Sequence, residues 1–143
     1  MPEDNSVDLA SGIAAFEAKQ FSRAMQLLTP LAEDGNADAQ YRIAIMCQNG
    51  LGGVRNERLA VKWMHTAADQ GHALAQHGMG FMYLEGDCVD KDGSEAAKWF
   101  RLAAEQGLAG SQTTLAMMYE EGNGVEKDPE EARRWFKLAG FDR

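Results

Sequence analysis

Two kinds of amphipathic segment alternate along this chain. In the first, Ile43, Ala44 and Cys47 stand at helical spacings, as do Met79, Gly80, Tyr83 and Leu115, Ala116, Tyr119. Spacings of three and four lay an apolar stripe along one side of an α-helix. The small residue in each stripe lets a neighbouring helix come close. In the second segment the stripe is Ala60, Trp63 and Ala67, echoed by Ala96, Trp99, Ala103 and by Ala132, Trp135, Ala139. Lys62-Trp63-Met64 returns 36 residues later as Lys98-Trp99-Phe100, and again as Arg134-Trp135-Phe136. Self-similarity at such a period marks a repeat array in which each unit buries its apolar face on its neighbours.

The polar punctuation agrees. Gly50, Gly86 and Gly122 follow the first segments and supply the positive φ that ends a helix and turns the chain. Asp128-Pro129-Glu130-Glu131 places an N-cap acceptor, a proline at the first helical position and a glutamate at the third. Asp92-Gly93-Ser94-Glu95 and Asn56-Glu57-Arg58-Leu59 are weaker versions, and Gly71 and Gly107 stop the second helices.

The order Ala-x-Ala-Gln, Leu-Gly-x-Met-Tyr, Gly-x-Gly-Val, Ala-x-x-Trp, Ala-Ala-x-x-Gly resembles the Sel-one-like repeat family, a relative of the tetratricopeptide repeats. Residues 73–107 read it nearly complete, with Met79-Gly80, Met82-Tyr83, Ala96, Trp99 and Ala103-Ala104. Departures are Cys47 at the tyrosine position and Cys88 where Gly124 stands in the last copy. Repeats are expected at 37–72, 73–108 and 109–143, the last truncated. Gly12, Phe16, Phe21, Ala24, Leu28 and Leu31 are similar to the broader tetratricopeptide pattern and suggest a divergent hairpin over 6–36. Residues 1–5 read as a flexible acidic terminus. The resemblance implies an all-α, right-handed α-solenoid of four helical hairpins.

Composition narrows function mainly by exclusion. A net charge of −8 argues against a nucleic-acid partner, whose phosphates need clustered Lys and Arg. Basic residues gather late, at Arg133, Arg134, Lys137 and Arg143, but acidic neighbours make that a mixed solvated face. No apolar run approaches the ~20 residues of a membrane span, and the first residues lack a secretory pattern. A cytoplasmic location is the expectation, although a trimmed export signal would leave the same sequence. Cys47 and Cys88 occupy different positions in their repeats, which suits free thiols in a reducing compartment.

No chemistry-bearing constellation emerges. His65 shares its position with Arg101 and Lys137 and reads as solvent-facing. His72 and His77 are poorly spaced for one metal. No serine is followed three residues on by lysine, and no phosphate-binding glycine loop is present. The expectation is a non-enzyme without cofactor or metal. The tryptophans read as packing residues rather than a stacking ladder, and Met46, Met79, Met82 and Met118 as core.

In tetratricopeptide-type solenoids the first helix of each hairpin lines a concave groove. Carried over by register, the groove positions are Asp38, Tyr41, Ile45, Gln48 and Asn49, then Leu74, His77, Phe81, Leu84 and Glu85, then Thr113, Met117, Glu120 and Glu121. These vary between units while the packing positions stay nearly fixed. Tyr41, Ile45, Leu74, Phe81 and Leu84 are costly to expose without a covering partner. The resemblance implies a protein-binding adaptor or scaffold, often in bacterial settings. Two alternatives stand beside it: an inhibitor or immunity-type protein that blocks a cognate enzyme or toxin, and a structural protein that self-assembles through open solenoid ends.

Overall fold

A computed structural model describes residues 6–141. The expectations for the acidic terminus 1–5 and for Arg143 lie outside the described residues. Those described form eight α-helices and no strand, an all-α fold of the solenoid class, divided into two compact units between Gln70 and Gly71.

The first unit holds α1 (Ser6–Glu17), α2 (Phe21–Glu33), α3 (Ala37–Asn49) and α4 (Glu57–Asp69). Gly12 sits against Leu28, so close that a β-carbon there would overlap the leucine side chain. This is the close helix approach that the small position serves. Phe16 meets Phe21 edge-on at 5.8 Å across the α1–α2 turn. Asn36 and Asn56 cap α3 and α4, their side chains accepting from the backbone N–H of Ala39 and Leu59. Buried Gln40 donates from Nε2 to the Ala32 carbonyl at 3.0 Å, and its Oε1 accepts from Gln70 at 2.8 Å. The recurrent glutamine is therefore a clamp from one hairpin to the backbone of the hairpin before it.

The second unit holds α5 (Ala73–Glu85), α6 (Gly93–Glu105), α7 (Ala109–Glu121) and α8 (Pro129–Leu138). Its core is built from Ala96, Ala97, Phe100, Ala104, Leu115, Ala116, Met118, Ala132, Trp135 and Phe136. Gly80 lies under the Phe100 ring, which a β-carbon would meet at 2.7 Å. Asp92 and Asp128 cap α6 and α8 through the N–H of Glu95 and Glu131. Gly86 and Gly122 end α5 and α7 in the left-handed region, at φ 70° and 72°. The glutamine clamp recurs, Gln112 Nε2 donating to the Ala104 carbonyl at 3.1 Å.

Two sequence expectations change. The tryptophan stripe is not the centre of the second helices. Trp63 and Trp99 are half-buried, whereas the residues that follow them, Met64 and Phe100, are 2% and 0% exposed. A helix turn of 100° carries that next residue to the middle of the buried face, and the indole, the larger group, spans its edge. Trp135 is the exception at 3% exposure. The second change is at Cys88, which takes φ 67°, a left-handed conformation that Gly52 and Gly124 hold at the matching positions. A side chain in that region carries steric cost.

Candidate functional site

The predicted partner-binding residues fall into two sets, one in each unit. In the first unit α3 carries Tyr41, Ile45 and Gln48, all half-buried, beside Asp38 and exposed Asn49. Asp38 pairs with Arg42 at 3.0 Å. Asn49 is turned back on its own helix, its side chain donating to the Ile45 carbonyl at 2.9 Å. Arg55 donates to the Gln48 carbonyl at 2.7 Å. Burial, opposed by the neighbouring Arg42 charge, raises the Tyr41 hydroxyl above its ordinary pKa. This patch is polar-edged and largely engaged with itself.

In the second unit Leu74, His77, Phe81 and Leu84 stand at i, i+3, i+7 and i+10 on α5. They therefore share one stripe. Thr113, Met117, Glu120 and Glu121 line α7. The two helices touch through His77, whose Nδ1 lies 2.6 Å from the Ser111 hydroxyl. The His77 ring is edge-on to Phe81 at 4.8 Å and to Phe100 at 5.5 Å, and Phe81 meets Phe100 at 5.0 Å. Phe81 and Leu84 are thus half-buried and pack against the core, where the repeat pattern set them outside it. The reason is the glycine at position 80. It lets Phe100 rise to the surface of α5, and Phe81 closes over the ring. What this face offers to solvent is Leu74 and Met117, 45% and 46% exposed, with Glu85, Glu120 and Glu121 exposed at its edge.

Ser111 was missed by the sequence reading. It occupies a position held by Ala39 and Ala75, and it is the one polar replacement in that column, a signal visible in the repeat alignment. Its hydroxyl is fully buried, so the His77–Ser111 pair offers no accessible nucleophile. Burial lowers the His77 pKa, which keeps the ring neutral near pH 7 and suits a hydrogen-bonded latch between α5 and α7. His72 caps α5, its Nδ1 accepting from the Ala75 N–H at 3.1 Å. His65 is exposed beside Asp69 at 2.9 Å. Both cysteines are free thiols, Cys47 buried and Cys88 half-buried. Among the described residues no helix is long and apolar enough to cross a membrane.

The Sel1 repeat model matches residues 37–72, 73–108 and 109–140. Among solved structures, a Sel1 repeat protein from Oxalobacter formigenes is 35% identical with a TM-score of 0.87, over 91% of this chain and 54% of that one. A protective antigen present in uropathogenic Escherichia coli strains, displaying an SLR fold, is 36% identical with a TM-score of 0.89, over 95% of this chain and 30% of its own. The chain therefore spans about half or less of these two relatives. The cysteine-rich protein B of Helicobacter pylori, 18% identical with a TM-score of 0.66 over 84% of this chain and 86% of its own, shares the fold. No match was found among curated proteins.

Proposed function

This chain belongs to the Sel1 repeat family, whose repeats are generally protein-interaction scaffolds, and on that premise we propose that it holds a protein partner on the α5–α7 face of its second unit. The observation that carries this reading is the pair of exposed apolar side chains, Leu74 and Met117, 45% and 46% accessible. Leu74 shares α5 with Phe81 and Leu84, which are half-buried, and Met117 stands on α7. Large exposed apolar groups are costly in water and favour burial against a partner. Glu85, Glu120 and Glu121 at the edge favour a segment that sets Lys or Arg beside its apolar anchors. The bacterial sources of the similar structures favour a bacterial setting.

The test is a selection from a displayed peptide library against the full chain. Enriched peptides should combine basic residues with apolar anchors. The doubly substituted Leu74→Ala, Met117→Ala protein should bind them at least about tenfold more weakly, as loss of central anchors does, while melting at the wild-type temperature. Selected peptides that bind the double variant as tightly as wild type would remove the α5–α7 face from consideration. Phe81 and Leu84 are unsuitable for this purpose, because truncating them also removes core contacts.

A further inference from the structure

The polar side of the second helices contains a repeated pattern. Lys98, Arg101 and Leu102 on α6 recur as Arg134, Lys137 and Leu138 on α8, at the same i, i+3, i+4 spacing. The leucines are 45% and 56% exposed, and on α4 the matching position is Thr66. Beside the α6 copy lies a cleft of about 440 Å³, lined by Ala97, Leu102, Gly124 and Val125 together with Lys98 and Arg101. That volume is within the range of roughly 300–1,000 Å³ typical of ligand-holding clefts. The Arg101 guanidinium is held in place: it donates to the Tyr119 hydroxyl and lies over the Tyr119 ring, 5.6 Å from its centroid. A pre-positioned guanidinium loses less freedom when it meets a carboxylate. Lys98 is 72% exposed and reaches Glu95 only at 3.7 Å, a weak surface pair that leaves it open to recruitment.

We infer that this outer cleft is a second docking surface, separate from the α5–α7 face, for an acidic segment of another protein. An apolar side chain of that segment enters the cleft against Ala97, Leu102 and Val125. Its flanking carboxylates meet Lys98 and Arg101. Charge complementarity selects this occupant. On a chain of net charge −8, the cleft is lined by two cations and, among the described residues, by no carboxylate, and these oppose the sign of ligand that Glu85, Glu120 and Glu121 favour on the other face. The two surfaces thus discriminate partners by charge.

The experiment titrates the isotope-labelled full chain with a short synthetic peptide alternating glutamate and leucine, and with its lysine–leucine counterpart. The acidic peptide should shift the amide resonances of Lys98, Arg101, Leu102 and Val125, more weakly as salt rises. Lys98→Glu, on a well-exposed side chain, should weaken binding about tenfold with an unchanged melting temperature, the scale expected for reversing a charge at a binding surface. Leu102→Ala should weaken it while leaving Phe81 and Met117 resonances in place. The inference is overturned if the acidic peptide fails to bind, or if the basic peptide produces the same shifts at the same concentration. It is also overturned if the shifts appear without peptide as the protein is concentrated, since a second copy would then fill the cleft. None of these results bears on Leu74 and Met117, so this inference and the α5–α7 reading fail independently.

Discussion

Phe100 and its neighbour Trp99 show how one residue of helical rotation separates core from edge. Phe100 is fully buried, in edge-on contact with Phe81 and His77 and pressed against Gly80. Phe100→Ala should therefore cost ~3–5 kcal/mol, the usual loss on truncating a buried aromatic, and more than Trp99→Ala. Denaturant melts of the two variants check the order, and a larger loss at Trp99 would show that the indole carries the packing. His77 provides a pH readout of the same cluster. Its folded pKa is lowered by burial from an ordinary value of about 6.5, so between the two values the unfolded chain binds more protons than the folded one. Its contribution is then full above about pH 6.5 and declines as pH falls through that window toward the folded pKa. His77→Gln should melt with a smaller loss between neutral and mildly acidic pH than wild type; an equal loss would assign the dependence to other groups.

At the scale of elements, the recurrent glutamines act as connectors between consecutive hairpins. Gln40 and Gln112 each reach back to a carbonyl of the preceding helix, Ala32 and Ala104, and each is nearly inaccessible to solvent. An amide is needed because the partner is a backbone acceptor. Gln112→Leu should cost about 1–2 kcal/mol, the loss of one buried hydrogen bond. Gln112→Glu should cost more near pH 7, since a buried carboxylate would then face the Ala104 oxygen, and it should recover part of the loss on acidification. If both variants melt alike, the clamp contributes shape rather than hydrogen bonding. The His77–Ser111 bond links a different pair of helices, α5 to α7, and it depends on two residue types that occur together only in this pair of repeats.

At the scale of the whole molecule, the α7–α8 hairpin differs from the one before it in a way that bears on self-assembly. Leu84 packs on the core and Ala97 is buried, but the matching residues one repeat later, Glu120 and Arg133, are exposed and charged. α8 has 10 residues where α6 has 13. Gly140, at φ 98°, turns the chain early, and the Phe141 N–H returns to the Phe136 carbonyl at 2.9 Å. The Phe141 ring then lies edge-on to Phe136 at 6.2 Å. Charge at Glu120 and Arg133 makes apolar stacking on this face of the α7–α8 hairpin costly. Light scattering over a wide concentration range should return a constant mass; a mass that climbs with concentration would favour the self-assembling alternative instead.

The repeat, its helices, their caps and the family were legible in the amino-acid sequence, because each rests on local rules: helical periodicity, an acceptor at the N-cap, a glycine where φ is positive. The candidate face was legible as a set of positions, since variation between copies separates residues freed from packing from those bound by it. Which of those positions remain open was decided by tertiary structure. Whether Phe81 is exposed depends on how far Phe100 rises beside Gly80, and that is set by the distance between two helices. The same holds for Ser111, whose hydroxyl has meaning only against His77 on another helix, and for the outer cleft, whose walls come from α6 and the loop before α8. Local sequence specifies what each helix is, and the fit between helices specifies what each leaves uncovered.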